Sequence, residues 1–148
     1  METRGTLILM MGLPRSGKTT EAKGLGYPIV SPDAVRLALH GKTFLSDAEF
    51  MVWPLTILMV KAMFAAGHHT VILDATNHTR KRREFWCDAG DWIVEYHIVE
   101  TSKEVCIARA EAEEALQNSP NHFSLIPVIE RMAEAWEDID LTERLGSP

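Results

Sequence analysis

The chain predicts an α/β domain: a parallel sheet of about four to five strands, helices on both faces and a helical lid. Three observations carry that prediction. The apolar segment Thr6–Met11 has the length of a buried strand and runs straight into a glycine-rich loop. Short β-branched runs then alternate with helical stretches along the chain, which calls for right-handed crossovers between parallel strands. The length, 148 residues, suits one domain spanning 1–148, with the lid at about 107–125. A chain of this size buries about 70% of the surface its unfolded form exposes and needs no staples.

The glycine-rich loop, Gly12-Leu13-Pro14-Arg15-Ser16-Gly17-Lys18-Thr19, reads G-x-x-x-x-G-K-T. That is the phosphate-binding loop pattern, here in its required setting of strand, loop and helix. Gly12 and Gly17 permit backbone angles that let successive N–H groups point inward. With the start of the next helix they form a concave anion site. Lys18 adds a mobile charge for the β- and γ-phosphates, and the Thr19 hydroxyl is placed to ligate Mg²⁺. Residues Gly12 through Thr19, and Thr20 in the first helical turn, are the expected contacts of a nucleoside triphosphate such as ATP.

Gly24 to Pro28 ends the first helix, and Ile29-Val30 is a short strand. Ser31 is a good N-cap, Pro32 suits the first helical position, and Asp33 suits the positive end of the helix dipole. Ser46-Asp47-Ala48-Glu49 has capping-box form, ahead of an apolar helix from Phe50 to Ala66 stopped by Gly67. Pro54 predicts a kink or a later start. Met51, Met59 and Met63 read as core positions. His68-His69 reads as a turn rather than a metal pair, since adjacent side chains diverge.

Val71-Ile72-Leu73-Asp74 is a strand ending in an acid, which in a phosphate-loop protein supports the Mg²⁺ site directly or through water. A basic helix begins at Thr79, Trp92–Val99 is the fourth strand, and Ser102 caps a helix that packs Cys106, Ile107 and Ala110. Asn118 to His122 breaks the chain before an amphipathic helix over Ile126–Trp136, and the acidic tail from Asp138 reads as loosely held. The ligand of an open α/β sheet sits beyond the carboxyl ends of the strands, which collects the glycine loop, Asp33 and Asp74–Asn77 around one crevice. Asp33 there could take the proton of an acceptor hydroxyl.

Composition narrows the class further. With 46% hydrophobic and 24% charged residues the chain is ordinary for a globular protein, and a net charge of −6 argues against a whole-domain basic footprint for nucleic acid. Cys87 and Cys106 lack metal-like spacing and read as reduced thiols in a cytoplasmic protein. The opening residues lack a leader pattern, and no run reads as membrane-spanning.

The chain resembles the kinase domain of polynucleotide 5′-hydroxyl kinases, in the AAA-type zeta-toxin/polynucleotide-kinase-like branch of the P-loop kinases. The matching blocks are Gly12–Thr19, Asp33-Ala34-Val35-Arg36, Asp74-Ala75-Thr76-Asn77 with Arg82-Arg83, Val94-Glu95 to Arg109, and Ile126-Pro127 to Met132. The resemblance implies a P-loop NTPase-type fold and transfer of the γ-phosphate of ATP, or another nucleoside triphosphate, with Mg²⁺. The implied acceptor is a hydroxyl, foremost a 5′-hydroxyl DNA or RNA end. It implies Asp33 as general base, Arg36 as the grip on an acceptor phosphate, Lys18 as a phosphate ligand, Thr19 and Asp74 at the metal, and Arg109 against the nucleotide base. One position departs: where the family carries a second lid arginine, four residues after Arg109, this chain has Glu113. Arg15, Arg80 and Arg83 are the candidate substitutes. A small-molecule kinase on the same scaffold and a non-catalytic nucleotide-binding module remain the alternatives.

Overall fold

The computed structural model describes residues 3–41, 46–117, 124–140, 142 and 143. Among them lie four strands, β1 (Gly5–Met11), β2 (Ile29–Val30), β3 (Thr70–Leu73) and β4 (Trp92–Ile98), all parallel in the order β2-β3-β1-β4. The helices are α1 (Lys18–Leu25), α2 (Pro32–His40), α3 (Glu49–Ala65), α4 (Arg80–Asp88), α5 (Lys103–Glu114) and α6 (Ile126–Glu134). The predicted break at Asn118–His122 lies outside the described residues.

Both faces of the sheet are covered, which is why β1 reads as an unbroken apolar run. Leu7 and Leu9 face one core with Val60 of α3, Trp86 of α4 and Trp92 and Val94 of β4. Ile8 and Met10 face the other with Ala22 of α1. A third cluster joins Leu13 of the glycine loop to Cys106 and Ala110 of α5 and Ile129 of α6. The glycine loop is therefore packed into one unit with α5 and α6. Both cysteines are buried free thiols.

The caps follow the expected chemistry. Ser31, Thr79 and Ser102 each accept a bond from the backbone N–H three residues on, at 3.2–3.3 Å. Ser46 does not cap α3. One 3₁₀ turn, Ser46–Ala48, precedes the helix, Ala48 is the N-cap, and the Glu49 carboxylate is spent on Arg36 instead. Pro54 sits inside α3, which runs unbroken from Glu49.

Three further expectations are corrected. Met63 packs on the core, but Met51 and Met59 are exposed, together with Phe50 and Leu58. The fully buried stripe of α3 is narrow, Val52, Thr56 and Val60; Trp53, Ile57, Met63 and Phe64 pack half-buried beside it, and the opposite side of an almost wholly apolar helix faces outward. For the same reason Ser46–Ala65 is, by length and composition, long and apolar enough to cross a membrane, with a mean hydropathy of 1.5. The tail is not loose throughout. Glu143 is buried, and its side chain forks onto Arg83, itself without exposed surface, at 2.6 and 3.1 Å. A lone buried guanidinium is costly, so the tail folds in to meet it.

Candidate active site

The glycine loop wraps the carboxyl end of β1. Gly17 adopts φ 92°, a left-handed conformation that admits glycine readily. A side chain at Gly12 would come within 2.6 Å of Ser16 Oγ. Arg15 also takes a left-handed angle, φ 66°, an uncommon one for a residue with a side chain. Two outside groups hold the loop: Thr101 Oγ1 donates to the Ser16 carbonyl at 2.7 Å, and Arg109 Nη1 donates to the Arg15 carbonyl at 3.1 Å. Lys18, Thr19 and Thr20 form the first turn of α1, whose N-terminal N–H groups open onto the loop.

Asp74 directly follows β3 and is tied to β2 by its N–H on the Val30 carbonyl at 2.9 Å. Thr19 Oγ1 donates to Asp74 Oδ2 at 2.7 Å. The other oxygen, Oδ1, is buried without a hydrogen-bond partner, and Lys18 Nζ stands 4.0 Å away, an ion pair too long for a hydrogen bond. An orphaned carboxylate oxygen beside a threonine hydroxyl is a hard-donor set that fits Mg²⁺. The described residues hold no cluster of three acids, histidines or cysteines. Beside this site Asn77, at φ 48°, donates from Nδ2 to the Met10 carbonyl at 2.8 Å. That bond welds the loop after β3 to β1.

Asp33 and Arg36 lie on the first turns of α2, at the carboxyl end of β2. Arg36 Nη1 donates to Asp33 Oδ1 at 2.7 Å, while Nε and Nη2 fork onto the two oxygens of Glu49 at 2.7 and 2.9 Å. Burial weakens the Arg36 charge, but the bonds to Glu49 and Asp33 outweigh it and leave the group more basic than usual. The same bond to Arg36 holds the Glu49 carboxyl below its usual range. Thus Arg36, expected to grip a substrate phosphate, is already engaged by two carboxylates, and it orients Asp33.

The three candidate cations separate cleanly. Arg83 is buried on Glu143 and the Asn77 carbonyl. Arg80 is bound to Glu84 and Thr142. Arg15 rises half-exposed from the loop itself and pairs with Glu113 at 2.7 Å. Glu113, the position singled out in the sequence as a departure, therefore holds an arginine of the glycine loop. A surface concavity of about 670 Å³ lies at the opposite, amino-terminal end of the strands, around Gly5, Phe64 and Trp92, and touches none of these groups.

A parallel sheet with a glycine loop, a lysine and a threonine–aspartate pair at its carboxyl edge defines a P-loop nucleotide-binding protein with a kinase-like fold. The family model described as an AAA domain, AAA_33, matches residues 7–137, and the chain belongs to that family. No curated protein matches the chain at a significant level. Among solved structures it is similar to the Pnkp1/Rnl/Hen1 RNA repair complex, with a TM-score of 0.73 and 15% identity over 91% of this chain and 45% of that one. A second structure of the Pnkp1/Rnl/Hen1 complex gives 0.67 and 21% over 83% and 44%. A gluconokinase from Sinorhizobium meliloti gives 0.56 and 21% over 93% and 78%. At these identities the likeness is one of fold. The chain spans under half the length of the first two.

Proposed function

We propose that the protein is a nucleoside-triphosphate-dependent phosphotransferase that delivers the γ-phosphate to a hydroxyl, with a polynucleotide 5′-hydroxyl as the favoured acceptor. The observation that carries this reading is Asp33, held by Arg36 at the carboxyl edge of the sheet that also bears the glycine loop and Asp74. The loop N–H groups and Lys18 hold the triphosphate. Thr19 and Asp74 would hold Mg²⁺, which neutralises charge on the phosphate oxygens. The acceptor oxygen bonds to the γ-phosphorus, the bond from that phosphorus to the bridging oxygen breaks, and the acceptor proton passes to Asp33. Such a transfer needs alignment and charge neutralisation more than covalent help. Arg15, steered by Glu113, supplies the cation that the lid lacks.

Incubation with γ-labelled ATP, Mg²⁺ and a 5′-hydroxyl oligonucleotide tests the reading. Label at the 5′ end, lost in Asp33→Asn, supports it. Label on a small alcohol but on no oligonucleotide would favour a second reading, a small-molecule kinase. The likeness to a gluconokinase over 93% of this chain and the net charge of −6 speak for that alternative.

A further inference from the structure

Two arginines flank the indole of Trp53. The guanidinium of Arg82 lies 4.1 Å from the ring centroid and that of Arg36 lies 5.8 Å from it. The two are not equivalent. Arg36 is saturated, with three nitrogens on the carboxylates of Glu49 and Asp33. The Arg82 guanidinium makes no hydrogen bond or ion pair among the described residues; only its backbone N–H is used, on the Thr79 hydroxyl. Half-buried, it is less basic than usual, first from burial and then from the neighbouring charge of Arg36, against which Glu49 acts in part. A planar fork of donors, stacked on an aromatic face and set beside a like charge, is stabilised by an incoming anion.

The position is informative. Arg36 is on α2, after β2; Trp53 is near the start of α3; Arg82 is in the first turn of α4, after β3. All three stand toward the carboxyl edge of the sheet on the β2–β3 side, with Asp33, whereas the lid packs on Leu13 through α5 and α6. The triphosphate belongs to the loop and the lid. The open guanidinium therefore belongs to the acceptor.

We propose that Arg82, seated on Trp53, is the phosphate-binding position of the acceptor site, and that the acceptor is a nucleic-acid strand whose backbone phosphates reach it. Arg36 could not take that part without releasing Glu49 and Asp33. A neutral sugar brings no anion to Arg82, while a strand brings one per nucleotide. This inference rests on the phosphotransferase reading above.

The test compares acceptors with the full chain, γ-labelled ATP and Mg²⁺: a nucleoside 3′-monophosphate, a phosphorylated sugar, and 5′-hydroxyl oligonucleotides of increasing length. Arg82→Gln is expected to raise the KM of the longer strands about tenfold relative to that of the nucleoside monophosphate, with the change in KM rather than kcat. The slope of log(kcat/KM) against log salt should fall by about one. Arg82→Lys keeps the charge without the stack and should recover part of the loss, which a merely structural role would not produce. Wild-type transfer to strands with KM and salt slope unmoved in Arg82→Gln overturns this inference and leaves the function standing. No transfer to any strand, beside transfer to the phosphorylated sugar, removes the strand as acceptor and this inference with it. No transfer to anything refutes the phosphotransferase reading itself.

Discussion

Glu143→Gln should destabilise the whole domain although it lies far along the chain from every phosphate ligand. The native pair is buried on both sides, with side chains at 0% exposure, and it consists of two bonds at 2.6 and 3.1 Å. Removing one partner of a buried pair costs about 3–5 kcal/mol, because the remaining charge stays out of water. Glutamine keeps the shape and one neutral acceptor, worth about 1 kcal/mol. Arg83 also keeps its bond to the Asn77 carbonyl at 3.0 Å. The loss should therefore sit at the lower end, about 3 kcal/mol. For a domain of this size that is a fall in Tm of about 6–12 °C. Urea titration followed by far-UV circular dichroism, with matching thermal scans, measures it. The double variant Arg83→Met with Glu143→Leu removes both charges and should recover most of the loss. A Tm change under about 2 °C, or a double variant worse than the single, would refute the reasoning.

Three other outcomes are expected. Arg15→Ala should lower kcat by about 10³ or more with little change in nucleotide KM, and Glu113→Arg should restore part of that loss in the double variant, as read from initial rates with γ-labelled ATP. Thr19→Ala and Asp74→Asn should each raise the Mg²⁺ concentration for half-maximal rate by about 10–100-fold, measured by metal titration of the activity. Glu49, held below its ordinary value of 4.5 by Arg36, contributes stability that is present above that value and is lost as pH falls through its lower folded value, since the unfolded chain takes up the proton first. Denaturation midpoints from about pH 6 down to about pH 3 should therefore fall less steeply in Glu49→Gln than in wild type.

Local signals were legible and distant partnerships were not. Glycine spacing, the strand-length runs and the cap residues at Ser31 and Ser102 each act within a few residues, and the structure places them as read. The fork between Arg83 and Glu143 joins positions 60 residues apart, and no periodicity announces such a pair. Nothing in composition separates Arg36 from Arg82 either. Their difference arises because Glu49 meets one guanidinium and not the other. The methionines of α3 misled for a related reason. An almost wholly apolar helix gives little contrast between faces, so only the packing decides which stripe goes inside. At the site, Glu113 was visible as a departure, but its partner on the glycine loop needed three dimensions.

The grip on Arg15 and Ser16 carries one more consequence. Arg109 and Thr101 claim the carbonyls of those two residues, and that settles which way the peptide planes of the turn face. Both bonds come from outside the loop, so these two planes are set by the fold and not by the loop's own sequence. A polyphosphate bound there would have less backbone left to order.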